Sequence, residues 1–204
     1  ALLLFPPGLD FIAAYFGCLY AGAVAVPSYP PRINRPTPRL QGIVADAGAK
    51  VALTTSKIHA DIERRFDHAP DLRAVRWLDV EGLPNGAENH WRDPAISADT
   101  LAFLQYTSGS TSAPKGVMVS HGNLMHNLAV IQRGFQIDSS ACGVFWLPSY
   151  HDMGLIGGIL EPMYLGGDSV LMSPASFLQR PSRWLEAITR FRGTTSGAPN
   201  FAYE

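Results

Sequence analysis

Short apolar runs recur along the chain and are separated by longer stretches with helical spacing. Residues 2–5 are apolar without interruption and predict a buried strand. Residues 9–21 follow with a helical pattern, Asp10 in the first turn and Gly22 at the end. A second buried strand is expected at 23–26. The proline-rich segment 27–32 then blocks regular structure until Thr37 and Pro38, which suit the N-cap and first position of a helix reaching Ala47. Further strands are expected at 51–54, 75–80, 116–119, 144–147, 169–172 and 194–196, and helices at 56–66, 121–133, 153–165 and 181–191. Strands separated by helices of this length predict an α/β fold of mainly parallel sheets with helices on both faces. Residues 81–100, rich in Gly, Pro, Asn and Asp, form the longest loop, which is expected to divide an α/β portion at 1–90 from a second at 91–204.

Composition narrows the function classes. The 204 residues are 47% hydrophobic and 16% charged, which excludes disorder and allows one sizeable core or two small ones. A net charge of −1 gives no basic footprint for nucleic acid and no polybasic membrane patch. The uncharged run 11–26 is too short for a membrane span and is closed by Pro27. Cys18 and Cys142 lie far apart in apolar contexts, without a metal-ligand spacing, and read as free buried thiols of a reducing, cytoplasmic compartment. The chain opens on an apolar run and closes on the start of a helix, so it is expected to be a piece of a longer polypeptide.

The candidate chemistry starts at residues 106–117, Tyr-Thr-Ser-Gly-Ser-Thr-Ser-Ala-Pro-Lys-Gly-Val, set between two runs of strand character. Small residues let successive backbone N–H groups turn toward one anion, hydroxyls add donors, and Lys115 supplies a mobile charge, a combination suited to ATP phosphates. Pro114 stands where the P-loop signature needs glycine, which sets kinase-like and GTPase-like readings at a disadvantage. His121 and His126 are five residues apart, on different helix faces, so a zinc pair is disfavoured. His151 follows a strand directly, where open parallel sheets gather ligands; the same position suits a structural histidine bonded to Asp152. Gly154, Gly157 and Gly158 weaken the helix they occupy, which either a close-packed second helix or an extended ligand would explain. No nucleophile elbow, paired-carboxylate constellation or zinc-protease motif occurs.

The loop at 106–117, followed by Ser-His-Gly-Asn-Leu at 120–124, resembles the phosphate loop of the adenylate-forming superfamily, which contains acyl-CoA synthetases, luciferases and nonribosomal-peptide adenylation domains. Pro-Ser-Tyr-Pro-Pro-Arg at 27–32, Trp-Leu-Pro-Ser-Tyr-His-Asp-Met-Gly-Leu-Ile-Gly-Gly at 146–158, Leu-Met-Ser-Pro at 171–174, Phe-Leu-Gln-Arg-Pro at 177–181 and Ser-Gly-Ala-Pro-Asn-Phe-Ala-Tyr at 196–203 are similar to fatty acyl-AMP ligases, the branch that loads fatty acids onto polyketide and lipopeptide assembly lines. Ser112 departs from the glycine usual in that loop.

The resemblance implies part of the large N-terminal domain of an enzyme that converts a fatty acid and Mg-ATP to acyl-AMP and pyrophosphate, then passes the acyl group to a phosphopantetheine thiol of an acyl carrier protein. By the same resemblance Thr107, Ser108, Gly109, Ser110, Thr111 and Lys115 hold the phosphates, and His151 lies at the junction of acyl carboxylate and α-phosphate. Met153, Gly154, Ile156 and Gly158 would line the acyl tunnel, bordered by Ser196, Gly197, Ala198 and Pro199. Lys115 and His151 are thus the implied catalytic residues. The adenine-contacting segment, the magnesium-binding glutamate, the ribose-binding aspartate and a small C-terminal domain with its catalytic lysine are implied to lie beyond Glu204. An acyl-CoA ligase and an inactive nucleotide- or acyl-binding fragment are the alternatives.

Overall fold

The computed structural model describes residues 1–31, 37–107 and 114–204. The chain forms two compact units, Ala1–Gly122 and Asn123–Glu204.

In the first unit, β1 (Leu2–Leu4) is fully buried and starts a parallel sheet. The helix α1 (Leu9–Tyr20) buries Phe11, Ala14, Tyr15 and Cys18, a stripe at i, i+3, i+4 and i+7, and ends before Gly22, whose φ of 63° reverses the chain. The apolar stretch at 11–26 is therefore a helix, a turn and a strand, and no helix of the described residues is long and apolar enough to cross a membrane. The strand β2 (Val26–Ser28) begins later than expected and includes Pro27. Its place at the sheet edge explains this: Val26 donates to Ala1, while Pro27, with no N–H, turns its nitrogen to the other side.

The helix α2 (Pro38–Asp46) has Thr37 and Pro38 at the anticipated start, without a side-chain bond from Thr37. It leads to β3 (Val51–Thr54), as expected, then to α3 (Ser56–Glu63), capped by Thr55 and shorter than expected because 3-10 turns follow. A four-residue helix, α4 (Pro70–Arg73), is too short to carry a periodic signal; β4 (Arg76–Asp79) completes the sheet in the order β2-β1-β3-β4. All three pairings are parallel; β1 is buried along its whole length, as expected of a strand covered on both faces, and Leu2, Leu4 and Ala52 share one core with Ile43, Ile62 and Leu72.

Beyond the exposed 81–100 loop, β5 (Leu101–Thr107) and β6 (Lys115–Ser120) pair antiparallel, unlike the parallel sheets around them. Ala25 bonds both Ala102 and Leu104, so β5 belongs to the first unit although it lies past the loop expected to divide the chain. The helix α5 (His121–Phe135) begins at His121, whose N–H donates to the Thr100 carbonyl at 2.9 Å.

In the second unit, β7 (Cys142–Phe145) pairs in parallel with β8 (Asp168–Leu171). Between them Met153–Leu160 forms a π-helix that continues as α6 (Glu161–Leu165), where a single α-helix was expected. The short α7 (Pro174–Gln179), capped by Ser173, and α8 (Ser182–Phe191) follow. Trp146 stacks on Phe177 at 3.9 Å between ring centres, with Trp184 edge-on to both. Segment 194–196 makes one bridge, Thr195 to Gly143, in place of the expected strand. Cys18 is buried and Cys142 only half-buried; neither forms a disulfide.

Candidate active site

The first unit holds the stem of the phosphate-loop candidate. Thr107 and Lys115 face each other as the last pair of the β5–β6 ladder, and both are exposed. Ser108, Gly109, Ser110 and Thr111 lie outside the described residues.

One face of α2 braces this stem. Arg39 donates to the Thr107 carbonyl at 3.4 Å, Asp46 accepts the Tyr106 hydroxyl at 2.5 Å, and a Cβ on Gly42 would lie 3.0 Å from Pro114. Positions 39, 42 and 46 share a helical face, so one rigid element grips both ends of the loop. The Tyr106 phenol is pushed well above its usual pKa by burial and by the Asp46 carboxylate. Gly116 is needed opposite it, because a Cβ there would meet the Tyr106 ring at 2.9 Å. The mid-helix glycine and the 39/42/46 spacing were visible in the sequence; only the fold gives them a partner.

The second unit contains a cavity of about 670 Å³, within the range of small-molecule sites. Met153, Ile156, Ser196, Gly197 and Ala198, all expected around an acyl chain, border it. His151, Gly154, Gly158 and Pro199 are not among its lining residues. Gly154 lies against backbone, since a Cβ would come within 2.1 Å of the Pro148 carbonyl oxygen; Gly158 packs on Phe145. Gly157 is the glycine that opens onto the cavity, with nothing near its missing Cβ. Gly197 leaves room for Met153, whose methyl carbon would sit 2.9 Å from an added Cβ.

Side chains that the sequence did not single out complete the wall. Asn127, Ile131 and Phe135 come from α5 at i, i+4 and i+8, a spacing that puts them on one face; Glu161 and Thr195 also contribute. The Ser196 hydroxyl accepts from the Trp184 indole at 2.9 Å and donates to the Val144 carbonyl at 2.5 Å, tying the 194–198 segment to the aromatic core.

His151 is exposed, and its Nδ1 lies 2.5 Å from Asp152 Oδ1. The same oxygen accepts the Met153 N–H at 2.6 Å, capping the π-helix. An ionised carboxylate only accepts, so Nδ1 carries the proton and Nε2 is the ring atom left for a ligand. The resemblance implies magnesium, but among the described residues no cluster of His, Cys, Asp and Glu could hold a metal ion.

Known proteins are similar to this chain in sequence and fold. A medium-chain fatty-acid–[acyl-carrier-protein] ligase of Moorena producens is 46% identical over the whole chain, and a long-chain fatty-acid–AMP ligase of Mycobacterium tuberculosis is 39% identical over the whole chain. The crystal structure of a fatty acyl-adenylate ligase from L. pneumophila, in complex with acyl adenylate and pyrophosphate, superposes on 99% of the chain with a TM-score of 0.91 and 42% identity. The chain spans about a third of each: 35% of the Moorena ligase, 36% of the mycobacterial ligase and 35% of the Legionella chain. The family of AMP-binding enzymes matches residues 1–203. With the α/β frame, the braced hairpin and the full-length match in agreement, the chain belongs to the AMP-binding enzyme family.

Proposed function

We propose that the protein activates a fatty acid as its adenylate and passes the acyl group to the phosphopantetheine thiol of an acyl carrier protein. The observation that carries this reading is the cavity of about 670 Å³ walled by Met153, Ile156, Gly157, Gly197 and Ala198. Each methylene buried there is worth about 0.8 kcal/mol, so an alkyl tail is the ligand such a wall favours. The names of the Moorena and mycobacterial relatives support the same substrate class.

In the first step a carboxylate oxygen bonds to the α-phosphorus of ATP and the bond to the bridging oxygen breaks, so that pyrophosphate leaves with the electron pair. In the second the thiol attacks the acyl carbonyl, loses its proton, and AMP departs with the C–O electrons. Protein groups act by positioning and charge compensation. Lys115, exposed at the hairpin end, neutralises charge on the departing pyrophosphate; the backbone and hydroxyls of 107–111 complete the phosphate cradle. His151, held by Asp152 with Nε2 outward, binds at the carboxylate and α-phosphate junction.

The test is pyrophosphate release and acyl transfer by the full-length polypeptide carrying this sequence, given medium- and long-chain fatty acids with either a carrier protein or free CoA as acceptor. Pyrophosphate release with carrier loading is expected. Efficient acyl-CoA formation without carrier loading would overturn the acceptor and favour the acyl-CoA ligase reading, to which putative fatty-acid–CoA ligase relatives at 39–41% identity also point.

A further inference from the structure

Gly157 borders both the 670 Å³ cavity and a second one of about 20 Å³, and it is only half-buried. Ile137, Phe145 and Thr195 also line both, so the small cavity, which Ala141 and Leu165 line as well, adjoins the large one at this glycine.

Nothing in the helix itself asks for a glycine at 157. Its φ is not among the positive ones, so the backbone suits any residue, and a glycine inside a helix destabilises it relative to alanine. Gly154 is explained by the Pro148 carbonyl oxygen and Gly158 by the Phe145 ring, but a Cβ on Gly157 would meet no atom within 4 Å. Gly17 and Gly134 have similar open space, yet both lie on exposed helix surface and border neither cavity. At 157 the open space is the cavity, and the missing side chain keeps it free.

We infer that Gly157 is the residue that sets how long an acyl tail the site accepts, by leaving a way past the helix into the small cavity. The inference rests on the reading of the large cavity as the fatty-acyl site. Met153 and Gly157 both line that cavity and are four residues apart in one helix, about one turn, which places Gly157 roughly 5 Å further from the His151 end. With the carboxylate at His151, short tails end before Gly157 and long ones pass it. A side chain at 157 therefore takes space that only the distal methylenes of a long tail use.

The experiment measures kcat/KM for pyrophosphate release by the full-length polypeptide over straight-chain acids from hexanoate to hexadecanoate. Wild type, Gly157→Ala and Gly157→Leu are compared by the ratio of each acid to hexanoate. For the longest acid that the wild type uses well, this ratio should fall about fourfold in Gly157→Ala, the worth of one methylene, and about tenfold or more in Gly157→Leu. The preferred chain length should shorten in the same order. Gly157→Ala should also melt at a higher temperature than the wild type, because alanine narrows the unfolded ensemble and meets no neighbour in the folded one. A more stable enzyme that loses long acids is a combination that a glycine kept only for packing does not give.

If another segment of the full-length polypeptide packs on Gly157, Gly157→Ala will instead melt lower and lose activity equally on every acid, which overturns the inference. An unchanged chain-length profile in Gly157→Leu overturns it equally. A wild type that releases pyrophosphate with none of these acids would overturn the fatty-acid reading and, with it, the role of Gly157.

Discussion

At the scale of single residues, Glu161, 3% exposed and with no hydrogen-bond partner for its carboxyl among the described residues, has a consequence for stability. Its carboxyl titrates above the ordinary value of 4.5 because burial disfavours the charged form. The folded state thus holds this proton more tightly than the unfolded chain, so the associated stability is complete below pH 4.5 and is lost as pH rises through the raised value. Asp152, Asp168 and Tyr203 are the other titratable groups lining the 670 Å³ cavity and a smaller one beside it that Glu161 also borders, and none is cationic. Glu161→Gln should therefore melt higher than the wild type at neutral pH, with the gap closing as pH falls toward 4.5. Thermal melts of both proteins across that range check the sign; a gap that stays constant or widens on acidification would refute the assignment. Reading single residues from sequence succeeded where the neighbour is local and failed where it is distant. Three glycines at 154, 157 and 158 were legible as a site of close approach, yet their different partners, the Pro148 carbonyl, the open cavity and the Phe145 ring, depend on the return of the chain over β7.

At the scale of elements, α2 supports the hairpin proposed to hold phosphate. Its Arg39, Gly42 and Asp46 meet Thr107, Pro114 and Tyr106, contacts that reach across some seventy residues of chain and leave only a spacing in the sequence. Tyr106→Phe removes the tether to Asp46 and keeps the ring that packs against Gly116. Because Asp46 is exposed, the loss of stability should be about 1 kcal/mol, below the usual range for a bond to a charged group because solvent screens it. The KM for ATP should rise several-fold as the stem loosens, with little change in the chain-length profile for fatty acids. Denaturant melts and ATP titrations measure the two effects; an unaltered KM for ATP would remove the bracing role. The strands and helices themselves were largely legible, since β3 and the starts of α2, α3 and α5 follow from periodicity and, for α2, Pro at N1. The π-helix was not, because glycines and apolar residues fit an α pattern equally well and the wider coil is set by Asp152 and by the backbone of 147–148.

At the scale of the whole molecule, the proposed function divides recognition between the two units. The hairpin proposed to hold phosphate belongs to Ala1–Gly122, and the described residues that line the proposed acyl cavity come from Asn123–Glu204. Parallel order in both units was readable from alternating strands and helices; the antiparallel pairing of β5 with β6 and the bonds from β5 back to Ala25 were not, because strand direction and long-range pairing leave no local pattern. This separation predicts two distinct kinetic signatures in the full-length polypeptide. Lys115→Ala should lower pyrophosphate release by about a hundredfold, the usual loss for a group that stabilises developing charge, and by the same factor for every fatty acid. Ile156→Trp, which fills the cavity wall, should instead change the ranking of chain lengths: each methylene no longer accommodated costs about 0.8 kcal/mol, roughly fourfold in kcat/KM, so longer acids lose progressively more. Measuring kcat/KM over a homologous series for both variants separates the cases. A length-dependent defect in Lys115→Ala, or a uniform one in Ile156→Trp, would mean that phosphate and tail are not recognised by separate units.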